Sequence, residues 1–172
     1  MRLILQLSAV FCFSTALGQA RIDSLENELS KDLPDSAKVG LLVALSQEYQ
    51  YADFNKSKEY AEKALALAEG RDFSQNKARA YKNVANLYTL SGDYSSALRY
   101  DELALKQSLS LGDSLSITID YNNIANDYLD LGEYDEAYYF FTQSHRLAKA
   151  IGDSLRMTVA LHNVGRVFKE LG

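Results

Sequence analysis

Cysteine is nearly absent from this chain, and so are proline, histidine and tryptophan. The one cysteine, Cys12, lies in the first dozen residues, so nothing beyond it can form a disulfide, ligate a metal through sulfur or act as a thiol nucleophile. Proline occurs only at Pro34, histidine only at His145 and His162, and tryptophan not at all. Past residue 20 no stretch approaches the roughly 20 apolar residues of a membrane span. Positive charge is not in excess either. The formal net charge of −5 is spread along the chain and argues against nucleic-acid binding. Signatures of catalysis are missing too: there is no GxxxxGK[ST] phosphate loop, no GxSxG elbow, no HExxH and no CxxC. Carboxylate pairs such as Asp135/Glu136 stand at a helix start, where they favour the helix dipole. No catalytic residue, no cofactor and no metal site is therefore expected within these residues.

What is present begins with an export signal. Met1-Arg2 is followed by an apolar run from Leu3 to Phe13 and then by small residues at Ala16, Gly18 and Ala20. A basic start, a short apolar core and a small-residue exit predict a secretory signal peptide over 1–20, with cleavage after Gly18 or Ala20. Val10-Phe11 ahead of Cys12 does not suit a lipoprotein signal. Residues 1–20 hold Arg2 and no acid, so their removal takes the charge from −5 to −6, that is −5 − 1. The expected localisation is therefore outside the cytoplasm, periplasmic or extracellular.

The rest of the chain repeats. Gly92, Gly132 and Gly172 are 40 residues apart, as are Gly112 and Gly152. The same register holds Asn83, Asn123 and Asn163; Tyr88, Tyr128 and Phe168; Ala97 and Ala137. Within a unit the apolar residues have helical spacing: Tyr81, Val84, Ala85 and Tyr88, a Gly-Asp break, then Tyr94, Ala97, Leu98, Tyr100, Ala104 and Leu105. A degenerate first unit runs from Leu42 to Leu65 with a turn one residue shorter and no glycine. Ahead of it, Ile22, Leu25 and Leu29 mark a capping helix that Leu33-Pro34 is expected to stop. The predicted organisation is a capping helix and linker over 21–37 and about 3.5 helical-hairpin units over 38–172. The fourth unit carries a first helix with Val159, Val164, Val167, Phe168 and Leu171 but ends at Gly172, so a longer parent protein is expected.

These residues carry a family resemblance. Tyr81-Lys82-Asn83-Val84-Ala85-Asn86-Leu87-Tyr88 with Gly92-Asp93-Tyr94-Ser95-Ser96-Ala97, and the matching segments from Tyr121 and from Asn163, resemble tetratricopeptide repeats of an extended, forty-residue type. The resemblance implies an all-α, right-handed superhelical solenoid of antiparallel hairpins whose first helices line a concave groove. A leader, a short helix and forty-residue repeats together are also similar to the exported N-terminal region of certain bacterial sensor histidine kinases. In those, a membrane helix and an output module lie downstream.

The function so implied is a non-catalytic protein-interaction module that takes a protein or peptide partner. The sensor-kinase resemblance would make it the input part of a signalling protein. The alternatives are a structural spacer, an oligomerisation segment self-associating through the incomplete last repeat, or the non-catalytic part of an enzyme whose active domain lies downstream. Candidate groove residues are Arg79, Lys82, Asn86, Asn122, Asn126, His162 and Arg166, basic and amide side chains suited to a peptide's carboxylates and backbone. Lys82, Asn86 and Asn123 match part of the carboxylate clamp of some family members, but Val159 and Asn163 stand where its other basic residues are expected. Alanine at Lys82 and Asn86 is expected to weaken capture without lowering stability. Asn83, Asn123 and Asn163 read as hydrogen bonds between helices.

Overall fold

The computed structural model describes residues 18–70 and 74–172. Most of the expected leader, with Cys12, thus lies outside the described residues, and positions 18–20 are already helical. Among the described residues there are helices and no strand. They are α1 (18–29), α2 (Asp35–Tyr49), α3 (Phe54–Glu69), α4 (Ser74–Ser91), α5 (Tyr94–Leu111), α6 (Ser114–Leu131), α7 (Tyr134–Ala150) and α8 (Ser154–Leu171). Each helix from α2 to α8 packs on the next, and α2 also packs on α4 and α6 on α8. The result is the expected all-α solenoid of antiparallel hairpins. The first unit begins at Asp35 rather than 38, because Pro34 does not stop the helix before it. That helix has ended by residue 29, and the Pro34 carbonyl accepts from the Ala37 and Lys38 amides to start α2.

The turns explain the period. Gly112 and Gly132 take φ of 64° and 82°, a left-handed backbone that costs glycine nothing. There the glycine amide and the one after it turn back onto the last carbonyls: Gly132 N onto Leu129 O at 3.1 Å, Glu133 N onto Tyr128 O at 2.9 Å. After Gly112 and Gly152 an aspartate then opens the next helix, whereas Glu133 after Gly132 makes no side-chain cap. Asp113 accepts from the Ser116 amide at 3.1 Å and Asp153 from the Arg156 amide at 3.0 Å. The first unit lacks that glycine, and α2 stops at Tyr49 with four residues before α3.

Small residues let the helices meet. Ala97, Ala104, Ala125, Ala137 and Ala160 are wholly buried. Stacked aromatic pairs close each hairpin on itself, while Tyr138 meets Phe168 of the next unit edge-on. Tyr49 stacks on Tyr60, Tyr88 on Tyr100 and Tyr128 on Phe140, with ring centroids 5.5–5.6 Å apart. The α1 helix caps the first end: Ile22 is buried against Leu45 and Tyr49, and Glu26 accepts from the Tyr49 and Tyr60 hydroxyls at 3.0 Å.

The apolar core is not continuous. One cluster spans α3 to α5 through Ala61, Val84, Leu87, Tyr88 and Tyr100. Another spans α6 to α8 through Ala125, Leu129, Ala137, Phe141 and Val167. Between them the buried acids Asp101, Asp120 and Asp127 stand among Ala104, Ile117 and Ile124.

Candidate functional site

The groove is built by α2, α4, α6 and α8, the first helix of each unit, and polar side chains tie these helices together. Asn83 donates to Ser46 Oγ at 2.8 Å and Asn86 to Gln50 Oε1 at 2.8 Å, joining α4 to α2. Lys82 meets Asp120 Oδ1 at 2.8 Å, joining α4 to α6. Asn163 donates to Asn122 Oδ1 and Arg166 to Asn126 Oδ1, both at 2.9 Å, joining α8 to α6. The inter-helix roles expected of Asn83 and Asn163 are thus what those side chains do.

The seven candidate groove residues do not form one site. Arg79, Lys82 and Asn86 share a cavity of about 420 Å³ between α2 and α4, with Val43, Gln47 and Gln50. Lys82, Asn86 and Asn126 also line a second cavity, about 270 Å³, between α4, α5 and α6. Asn122 lines a third, about 240 Å³, beside Thr118, Leu155 and Val159. Arg166 reaches the second group only through Asn126, and His162 is exposed and lines none of the three.

Lys82 corrects the expectation of a clamp for carboxylates. Its ammonium group is already paired with Asp120, which is fully buried. Substituting Lys82 would therefore strand a buried carboxylate and lower stability, contrary to the sequence-based expectation. Burial holds the Asp120 carboxyl above its usual range, against the opposing pull of Lys82 and Ser108.

The second cavity has an unexpected floor. Asp101 from α5 and Asp127 from α6 line it, 3% and 2% exposed, with Asn123 beside them. Asp101 Oδ1 and Asp127 Oδ2 have no hydrogen-bond partner, while Thr89 Oγ1 sits 3.5 Å from Asp127 Oδ1. Burial, and then the charge of Asp127, push the Asp101 carboxyl well up; burial does the same to Asp127. The mouth of the cavity carries Asn86 and Asp130, both exposed.

Similarity to known proteins agrees with this geometry. Residues 121–151, which run from α6 into α7, match the tetratricopeptide repeat family. No curated protein matches the chain. Among solved structures it is similar to BtubC from P. vanneervenii, with a TM-score of 0.74 and 21% identity over 90% of this chain and 64% of that one. It is similar to a signal-transduction ATPase with a tetratricopeptide repeat sensor from Pyrococcus horikoshii, with a TM-score of 0.84 and 16% identity over 95% of this chain and 25% of that one. A Rap protein complexed with competence and sporulation factor gives a TM-score of 0.78 and 18% identity over 95% of this chain and 46% of that one. This chain thus spans less than two thirds of each. At these identities the likeness is one of fold, a tetratricopeptide-type helical scaffold.

The repeat register also marks these acids, although the sequence reading passed over them. Positions 40 residues either side of Asp101 are Ala61 and Phe141; of Asp120, Ala80 and Ala160; of Asp127, Leu87 and Val167. All six are buried apolar residues, so three core positions of the middle repeat interface have been given to aspartate.

Proposed function

We propose that this chain is a non-catalytic interaction module that holds a peptide or an extended protein segment in the groove of α2, α4, α6 and α8. The observation that carries this reading is the row of three open cavities along those helices, polar between α4 and α6, mixed between α2 and α4, and mainly apolar beside α8. Amide side chains, Asn86 and Asn126 among them, border them, as peptide-backbone recognition requires. The repeat sensor of the Pyrococcus horikoshii neighbour, and the complexed factor of the Rap neighbour, support binding as the use of this scaffold. We place the module outside the cytoplasm on the leader expected at 1–20, and as the input region of a signalling protein on the resemblance to exported sensor repeats. Among the described residues no helix is long and apolar enough to cross a membrane.

The test is site-directed photocrosslinking in the producing cell. A crosslinker at Asn86 in the groove should capture a partner that the same group at Lys106, on exposed α5, does not. Equal capture from both positions, or none from Asn86, refutes the groove.

A further inference from the structure

We propose that the cavity between α4, α5 and α6 receives one cationic side chain of the groove-bound peptide, a lysine or an arginine, with Asp101 and Asp127 as its counter-ions. This rests on the reading of the groove as a peptide site.

Three observations lead to it. First, the two carboxyls are almost completely buried and line an open cavity; they hydrogen-bond to each other, and to Asn123 and Thr89, yet each keeps one oxygen without a hydrogen-bond partner. A buried carboxylate is costly unless something pairs with it. Second, the protein supplies no cation of its own to the pair. Lys82, the basic residue of the cavity wall, is held by Asp120 and does not figure among the groups acting on Asp101 or Asp127. Third, equivalent positions in neighbouring repeats are apolar, so the fold does not need acids there.

The charge balance fixes the sign of the ligand. Facing the cavity are Asp101 from α5, Asp127 and Asp130 from α6, and the Lys82–Asp120 pair, which sums to zero. With one proton retained on the Asp101–Asp127 pair, two negative charges are left, and Arg166 approaches this wall only through Asn126. Among the described residues no group of three or more His, Cys, Asp or Glu could hold a metal ion, which favours an ammonium or guanidinium group over a metal. Asn86 at the wall, whose amide nitrogen is held by Gln50, offers its carbonyl oxygen to the remaining N–H donors. Asp130, exposed at the mouth, steers a cation inward. Because the unliganded pair retains a proton, entry of a cation should expel it.

The experiment is selection of random octapeptides on the full chain at neutral pH, followed by calorimetry on the selected peptide. We expect lysine or arginine at one fixed position. Replacing it with glutamine should weaken binding about tenfold or more. Binding should release close to one proton, read from buffers of different ionisation enthalpy. In Asp101→Asn/Asp127→Asn the glutamine and basic peptides should bind alike. Asp101→Ala/Asp127→Leu, which installs the residues of the preceding unit, gives a second variant if the first is poorly folded. Groove-bound peptides without a basic position, or basic peptides indifferent to both variants, overturn the inference and leave the groove reading standing. Failure to select any peptide that crosslinks to Asn86 overturns both. Stabilisation by Mg²⁺ or Ca²⁺ alone that depends on Asp101 and Asp127 would also overturn it, in favour of a metal.

Discussion

Two interfaces of this stack use equivalent positions in opposite ways. Where α7 sets Phe141 into a dry cluster with Leu129 and Val167, α5 sets Asp101 beside Asp127 under an open cavity. The backbone hardly registers the difference, because alanines at 97, 104 and 137 hold the helices together in both places. One interface is closed by burial of apolar surface. The other is left with unbalanced charge. A helical repeat thus separates the residues that set helix approach from those that decide what an interface does, and the second set is open to change.

The largest effect that would sharpen this contrast is at Phe141. Phe141→Ala, at a wholly buried site, should cost about 3–5 kcal/mol in denaturant unfolding. The same truncation at Phe168, 58% exposed and touching Tyr138 edge-on, should cost under ~1 kcal/mol. Equal losses would mean that the end of the stack is as well packed as its middle. Next comes Lys82→Met, which leaves Asp120 without its partner and should cost about 3 kcal/mol at pH 8. The loss should shrink at pH 5, where the stranded carboxyl can take a proton; a pH-independent loss would point to lost packing alone.

The smallest effect is the pH dependence of the acid pair. Asp101 is pushed up to about 8 and Asp127 to about 7, against an unfolded value near ~4. The folded chain therefore holds protons that the unfolded chain has released. Stability should be greatest below pH ~4 as far as this pair is concerned, should fall steadily from there as pH rises, and should level off once both carboxyls have ionised, above about 8. The cap carboxylates pull the other way. Hydrogen bonds from Ser96 and Ser116 hold Asp93 and Asp113 below their ordinary range, so their contribution is lost on acidification. Asp101→Asn/Asp127→Asn should remove the fall with rising pH and leave the acid-side loss intact. If chemical denaturation across pH 3–9 shows the variant still weakening above pH 7, the pair is not its source.

Much of this was readable from residues alone, for identifiable reasons. Helix breaks depend on the glycine that takes a left-handed turn and the aspartate that caps the next helix, both local, so their spacing reported the period correctly. Helix approach depends on side-chain size, so alanine positions reported the core. Lys82 failed as a free cation for the opposite reason. Its partner, Asp120, is 38 residues away on another helix, and no local pattern says whether an ammonium group faces a peptide or a buried acid. The aspartates at 101, 120 and 127 were visible in the register as polar residues at apolar positions, but their meeting around one cavity was not.

The amino-acid sequence by itself determined the repeat length, the helix boundaries to within a few residues and the family of the fold, because those are set by neighbours in the chain. The tertiary structure alone decided which polar side chains were already paired and which were buried without a partner. Charge is settled by what lies across the groove, and proximity across a groove is not written in sequence order.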